Sequence, residues 1–346
     1  MQELRLLVTG ASGFIGSRLA LTLQRMGIDA VYTGREGNDA ESARVRELTA
    51  AGVDVQLGDL RDATFTQKLV ADRNAVLHLA AAQHEGHMSD EHFRSVNIGA
   101  TRTLLDACVA AGVRRFVYGG TMGIYGSSER GPINEDSEPD PLNIYTRTKL
   151  AAEAAVRDYA PRIEIAICRI GETYGPGDLR LLKLFKAIER GRFVMIGAGG
   201  NQRQPIYVDD LNRGLLAALV APQAVNQAIL LTGSELMTTR EMIAQIAAVL
   251  ERPVPRLRIP MWPVLSAAVV SHAVLRPFGV RSPLQPRSLD FFRKSFVFST
   301  TKAKTLLGVE NSVRFVDGAR ATLAWYRAQG YLPDPATRAL SNAAHV

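Results

Sequence analysis

Tyr145 and Lys149 stand four apart in Tyr145-Thr146-Arg147-Thr148-Lys149, a spacing that puts both side chains on one face of a helix. A phenol with a pKa of about 10 is a poor base at neutral pH. A neighbouring ammonium favours the phenolate and lowers that pKa. Tyr145 could then take a hydroxyl proton as hydride leaves the same carbon, or return one in the reverse direction. By itself, Tyr-x-x-x-Lys also describes an ordinary exposed helix surface. Thr121 adds weight: it follows an apolar run at 115–118 and would set a hydroxyl beside the substrate oxygen.

Hydride transfer needs a carrier, and the start of the chain offers a place for one. Gly10, Gly13 and Gly16 punctuate Thr9-Gly10-Ala11-Ser12-Gly13-Phe14-Ile15-Gly16, between an apolar run at 4–8 and a helical pattern at 17–26. Glycines there permit a tight turn, let backbone approach a pyrophosphate, and allow close packing of helix on strand. The helix N-terminus adds free N–H groups and the positive end of a dipole. A glycine triplet alone is weak, but strand before and helix after is the context a dinucleotide site requires. The second apolar run, 30–32, is followed by Thr33-Gly34-Arg35, with no acid to take a ribose 2′-OH. Arg35 would pair with a 2′-phosphate or face solvent, so NADP is expected ahead of NAD. Asp59 and Leu60 follow the third run, where a short acid can meet the adenine amino group; Asp62 could instead cap the next helix.

The elements that must position these groups read clearly in the first half. Apolar runs at 4–8, 30–32, 53–57, 75–79, 115–118 and 164–168 alternate with helical stretches that include 17–26, 91–111 and 145–160. That alternation predicts an α/β fold, a doubly wound parallel sheet of Rossmann type, with a smaller C-terminal substrate domain. Residues 1–174 would hold the cofactor, with 202–232 returning to them. Segments 175–201 and 233–336 would receive substrate, and 337–346 would form a frayed tail.

Composition narrows the class. Of 346 residues, 47% are apolar, and no cleavable leader precedes the first strand, so a cytoplasmic location is expected. Cys108 and Cys168 lack any framework spacing and read as reduced, buried thiols. The net charge of +7 is uneven: residues 252–309 hold ten Lys or Arg and one acid. Such a region suits an anionic substrate tail, an anionic surface, or simply solvent. Nucleic acid is not expected, because no binding motif or aromatic–basic interleaving accompanies the charge. The apolar stretch 264–275 is too short and proline-flanked to span a membrane. A helix packed over the substrate site is expected there, with surface contact to a membrane as the alternative. His84, His87 and His92 cluster without a matching metal-ligand set, so no metal is expected, and His84 is a candidate substrate contact.

Taken in order, these motifs resemble the extended short-chain dehydrogenase/reductases, the NAD-dependent epimerase/dehydratase family. Its members include nucleotide-sugar epimerases and 3β-hydroxysteroid dehydrogenase-like enzymes. The resemblance covers nearly the whole chain. It rests on the Gly10–Gly16 turn, Asp59-Leu60-Arg61-Asp62, His78-Leu79-Ala80-Ala81, Asn97, Thr121, Tyr145 with Lys149, and Tyr174-Gly175-Pro176-Gly177. It implies that Thr121 orients the substrate oxygen and that Lys149 also holds the nicotinamide ribose. Ala80 and Asn97 would line the cofactor channel, beside Ser12, Phe14 and Ile15 of the turn. A homodimer through 91–111 and 145–160 is typical of such relatives.

Departures from the family pattern bear on the reaction. Sugar 4,6-dehydratases carry Asp-Glu directly after the Thr; here Met122-Gly123 cannot exchange protons, which argues against dehydration. Glu172 replaces the Asn that epimerases place near the substrate diphosphate, and would repel it unless turned away. Arg203 matches the epimerases' diphosphate-binding arginine, or else pairs with Asp209 or Asp210. The later Arg-x-Gly-Asp pattern of sugar epimerases is missing. Three readings follow: a nucleotide-sugar epimerase or ketoreductase; an NADP-dependent oxidoreductase of hydroxysteroid or dihydroflavonol type on an apolar substrate; and a non-catalytic dinucleotide sensor. The last is weakest, because Tyr145 and Lys149 are both present.

Overall fold

Near-continuous runs of Val, Leu and Ile need cover on both faces, and helices on either side of one parallel sheet supply it. The computed structural model describes residues 4–83, 88–127, 131–275, 289–310 and 312–334. Six strands come first: β1 (Leu6–Thr9), β2 (Ala30–Gly34), β3 (Val55–Leu57), β4 (Ala75–His78), β5 (Arg115–Thr121) and β6 (Glu164–Ile170). Between them run α1 (Phe14–Arg25), α2 (Asp39–Ala50), α3 (Ala63–Val70), α4 (Asp90–Arg94), α5 (Ala100–Ala110) and α6 (Ile144–Arg157). The remainder opens with β7 (Thr173–Tyr174), α7 (Leu182–Glu189), β8 (Met195–Ile196), β9 (Gln202–Arg203), β10 (Ile206–Tyr207) and α8 (Val208–Val220). It continues through β11 (Ala228–Leu231), β12 (Met237–Thr238), α9 (Thr239–Val249), β13 (Arg258–Ile259) and α10 (Met261–Leu275). Three helices close it: α11 (Asp290–Arg293), α12 (Thr301–Leu307) and α13 (Phe315–Ala328).

The main sheet has seven parallel strands in the order β11-β6-β5-β4-β1-β2-β3. One apolar cluster packs under α1, α8 and α12, with Leu19, Leu23, Leu211, Leu215 and Leu307 against the sheet. A second, on the opposite face, joins Leu104, Leu105, Ala152 and Val156 to Phe116, Tyr118 and Ile165. The smaller C-terminal region has its own core, where Phe185, Ile246, Phe315, Leu323 and Tyr326 meet. Arg18 of α1 forks onto Asp209 of α8 at 2.8 and 2.9 Å, a partly buried bidentate pair worth about 1 kcal/mol.

Strand order reverses between β1 and β4, so their carboxyl ends part and open the crevice where open α/β sheets bind ligands. Buried His78 pins those two ends. Its Nδ1 lies 2.7 Å from the Thr9 hydroxyl, and its Nε2 lies 3.0 Å from that of Thr101. The Thr101 hydroxyl donates to the Asn97 carbonyl, so it must accept from Nε2–H, which leaves Nδ1 to accept from Thr9. Burial, and then Lys149, push His78 down to about 3, so it stays neutral.

The structure departs from the expected elements in two informative places. Strands β5 and β6 run on to Thr121 and Ile170, which pair in register, so Thr121 belongs to the sheet edge itself. The expected helix over 91–111 is instead α4, a π-helical stretch Ser95–Gly99, and α5. Residues 337–346, expected as a frayed tail, lie outside the described residues.

Candidate functional site

A cleft of about 1150 Å³ opens at the switch point, and both halves of the expected chemistry line it. Gly10, Ser12, Gly13, Phe14, Ile15 and Gly16 form one wall; Thr121, Tyr145 and Lys149 form another. The turn is built as glycine requires. Gly10 has φ +77°, and a Cβ on it would stand 2.7 Å from the Ala80 backbone nitrogen. A Cβ on Gly16 would stand 2.2 Å from the Gly10 carbonyl oxygen. No side chain caps α1, whose N-cap is Gly13, so the first-turn N–H groups face the cleft for a ligand to satisfy. A cradle this tight, ending in open donors, fits a dinucleotide pyrophosphate.

The end of the cleft beside β2 and β3 is lined by Arg35, Asn38, Glu41, Arg44, Asp59, Leu60 and Arg61. The backbone N–H of Arg35 donates to the Ser12 hydroxyl at 3.1 Å, holding Arg35 against the turn, and its guanidinium stands 3.8 Å from Glu41. Arg44 reaches from α2 to the carbonyls of Ser12 and Gly177, at 3.4 and 3.3 Å. Asp59 is clamped by Arg61, which holds its carboxyl below the usual range. Asp62 does cap α3, accepting from Thr64 and Phe65.

Tyr145 is placed by the way α6 begins. Asn143 accepts from the Thr146 N–H at 3.0 Å, and the Thr146 hydroxyl accepts from the Asn143 N–H at 3.2 Å, a reciprocal capping box. That box fixes the first turn, and Lys149 follows one turn later. Burial pushes the Tyr145 phenol up to about 12, opposed by the Thr121 hydroxyl and by the charge of Arg180. The Lys149 Nζ donates to the Gly119 carbonyl at 2.7 Å and lies 4.1 Å over the Tyr118 ring. Burial pulls the Lys149 ammonium down to about 7, with Glu153 opposing.

Other expected positions fall elsewhere. Ala80 lines the cleft, but Asn97 does not: its amide accepts from Ala82 N–H at 2.7 Å and donates to the Thr148 hydroxyl at 2.9 Å. Asn97 therefore ties the π stretch to α6 and has no group left over for a cofactor. Arg203 pairs with neither Asp209 nor Asp210. It donates to Glu172 at 2.5 Å and to the Phe291 carbonyl at 3.0 Å, and its guanidinium lies 4.1 Å over the Phe291 ring. Neither Arg203 nor Glu172 lines the cleft. Helix α10 exists, but nothing of it lines the cleft, so it is not packed over the site. His84 and His87 lie outside the described residues; the His92 backbone N–H donates to the Ser89 hydroxyl that caps α4, at 3.2 Å. Among the described residues, no group of three or more His, Cys, Asp or Glu could hold a metal.

Sequence reasoning missed Arg44, Asp178, Arg180 and Lys183, which all line the cleft. Arg180 is aimed by Asp178, whose Oδ1 accepts from its Nε at 3.2 Å, and by the Thr173 carbonyl. Tyr174, Gly175 and Gly177 carry the recognisable motif, while Arg180 and Lys183, three to nine positions later, resemble an ordinary helix start.

Comparison with known proteins agrees with this geometry. Residues 6–231 match the NAD dependent epimerase/dehydratase family. A dTDP-glucose 4,6-dehydratase of Streptomyces griseus is 28% identical over 93% of this chain and 93% of that protein. The 3beta-hydroxysteroid-dehydrogenase/decarboxylase isoform 2 of Arabidopsis thaliana is 27% identical over 91% of this chain and 61% of its own length. The structure of UDP-glucuronic acid 4-epimerase from Bacillus cereus, in complex with UDP-glucuronic acid and NAD, superposes with a TM-score of 0.74. It is 25% identical, over 94% of this chain and 99% of that one. With its matched span covering the sheet, the glycine turn and the Tyr145 wall of the cleft, the chain belongs to the NAD dependent epimerase/dehydratase family.

Proposed function

We propose that this chain is an NAD(P)-dependent oxidoreductase or epimerase that moves a hydride to or from a secondary carbinol carbon of a nucleotide sugar. The observation that carries the proposal is that Tyr145 and Thr121 share one cleft with the Gly10–Gly16 cradle. The nicotinamide, when bound, supplies or takes the hydride. Thr121 holds the substrate oxygen beside the phenol, and Tyr145 transfers the proton at its Oη. Protonated at neutral pH, Tyr145 is ready to donate to a ketone oxygen, which fits the reductive half-reaction. Removing a proton needs added positive charge, from Arg180 or the oxidised cofactor. Lys149 holds the Gly119 carbonyl and the Tyr118 ring at the sheet edge and, lining the same cleft as Tyr145, would offer a donor to the nicotinamide ribose. Arg35 and Arg44 support NADP as the preferred form, since each brings a cation to the end of the cleft where adenosine would lie.

Arg180 and Lys183 take over the anion-binding role that Arg203 was expected to play, because they face the cleft and Arg203 does not. Dehydration of the 4,6 type is disfavoured: Met122 is buried and packs beneath Gly171, and Gly123 has no side chain, so no proton carrier follows Thr121. In this proposal residues 1–174, with 202–232, hold the cofactor, and the remaining segments to 336 shape the substrate end. The enzyme would work in the cytoplasm, as a homodimer through the outward faces of α4–α5 and α6.

The engagement of Arg203 by Glu172 favours a second reading, an NADP-dependent oxidoreductase acting on an apolar, steroid-like alcohol. Incubating the protein with nucleotide sugars or hydroxysteroids while following reduced cofactor separates the two. Turnover of a nucleotide sugar supports the proposal, with or without net cofactor consumption. Turnover of hydroxysteroids alone would replace it with the second reading.

A further inference from the structure

Surface helices of soluble proteins carry charge on their outer face, and α10 carries none. From Met261 to Leu275 it contains no Asp, Glu, Lys or Arg. Trp262, Ser266, Val269, Val270 and Val274 follow one another at helical spacing along a single exposed face, while Ala268 on the other side is buried. Trp262 is 73% exposed and Val270 60%. The strand just before continues the patch: Leu257 is 62% exposed, and Val254 and Ile259 are exposed too. Among the described residues, seven of the thirteen large exposed apolar side chains fall between 254 and 274. An apolar surface this concentrated marks a binding face.

Charge says what kind of partner it fits. The same chain segment forms one side of a second cleft of about 1260 Å³, lined by Arg190, Arg192, Arg252 and Arg256 against the single acid Glu189. Glu189 pairs with Arg252 at 3.5 Å. Arg190, Arg192, Arg256 and Arg258 are exposed and have no acidic partner among the described residues. The backbone under this patch is anchored, with Met195 and Gly197 donating to the Leu257 and Ile259 carbonyls at 3.0 and 2.8 Å. The side chains of Leu257 and Ile259 therefore point out from a rigid base.

An exposed Trp near the start of a largely apolar helix without Asp, Glu, Lys or Arg, with unpaired arginines beside it, is the composition of an element lying in a membrane interface. A helix of 15 residues spans only about 22 Å. No helix among the described residues is long and apolar enough to cross a membrane. We propose that α10, with residues 254–259 and the Arg190/Arg192/Arg256 cleft, docks the enzyme on the surface of an anionic phospholipid bilayer. The Trp262 and Val270 face would enter the headgroup–acyl boundary, and the arginines would meet lipid phosphates.

The test is co-sedimentation of the full chain with vesicles of phosphatidylcholine alone or mixed equally with phosphatidylglycerol. The expected result is binding to the mixed vesicles that weakens with added salt and falls at least about tenfold on phosphatidylcholine. Arg256→Glu with Arg258→Glu, and separately Trp262→Ser with Val270→Asp, should each reduce binding by a similar factor while cofactor affinity stays unchanged. All four positions are exposed, so neither double variant disturbs the core. Failure of the wild-type chain to bind either vesicle would overturn the proposal. So would equal binding to both compositions, binding indifferent to both double variants, or a stable dimer that Trp262→Ser with Val270→Asp separates. The last result would mean that a second copy covers this face.

Discussion

Replacing Gly16 with alanine should cripple the cofactor cradle through a single methyl group. That Cβ would lie 2.2 Å from the Gly10 carbonyl oxygen, 2.8 Å from its carbon and 3.0 Å from the Ala11 Cα. None of these atoms belongs to a flexible side chain that could swing aside. Non-bonded heavy atoms settle at about 3.5 Å, so α1 and the turn must separate by about 1 Å. Overpacking of this kind costs about 1–3 kcal/mol. The groups displaced are the ones proposed to hold the pyrophosphate, so NADPH binding should weaken about tenfold or more, at about 1.4 kcal/mol per decade. Gly99→Ala is the matched control. It adds the same methyl within a helix where nothing stands within 4 Å, and should be neutral or stabilising by up to about 1 kcal/mol. Fluorescence titration with NADPH and thermal unfolding measure both effects. A Gly16→Ala protein with wild-type affinity and unfolding temperature would refute the packing argument and the cradle built on it.

Three further outcomes follow from the site. Arg35→Asp should move preference from NADP to NAD by about tenfold or more, read as the ratio of dissociation constants; an unchanged ratio would remove Arg35 from cofactor recognition. Lys149 is held at about 7, below its ordinary value, so the folded chain pays for its ammonium below that pH and is relieved as pH rises towards 10. Urea unfolding of wild type relative to Lys149→Met should therefore gain more than about 1 kcal/mol between pH 6.5 and 9.5, the equivalent of one pKa unit. A relative loss over that window would contradict the buried placement. Arg203→Ala leaves Glu172 without its partner and should destabilise the fold by about 1–3 kcal/mol with little change in KM. A large rise in KM at wild-type stability would return Arg203 to the substrate.

The turn proposed to hold the cofactor was legible because its signal is local. Gly10, Gly13 and Gly16 sit within seven residues, between a strand and a helix, where backbone rather than side chains would do the binding. Tyr145 and Lys149 were legible for the same reason, being one helical turn apart. What the sequence hid depends on partners far along the chain. The side chain of Arg203 could have served a diphosphate, but Glu172 lies 31 positions earlier and claims it. Asn97 occupies a family position, yet the π stretch rotates its amide onto Ala82 and Thr148, and nothing in Ser95–Gly99 signals that extra turn width. Arg44 meets Ser12 of the cradle across 32 positions and Gly177 across 133, a reach that composition and period do not register. The run at 264–275 reads as a buried helix on hydropathy alone, and only its exposure separates a core element from a docking one.

The central claim is that the Tyr145 oxygen carries the proton while the cradle holds the cofactor. Tyr145→Phe removes that oxygen and leaves the ring, the capping box and the glycine turn in place. Single-turnover reduction with a substrate identified for the wild type, paired with NADPH titration of the same preparation, measures the two halves separately. The account predicts a rate lower by about 100-fold or more, the size of a lost general acid, with NADPH affinity retained. A rate within a few-fold of wild type, at retained affinity, would contradict it.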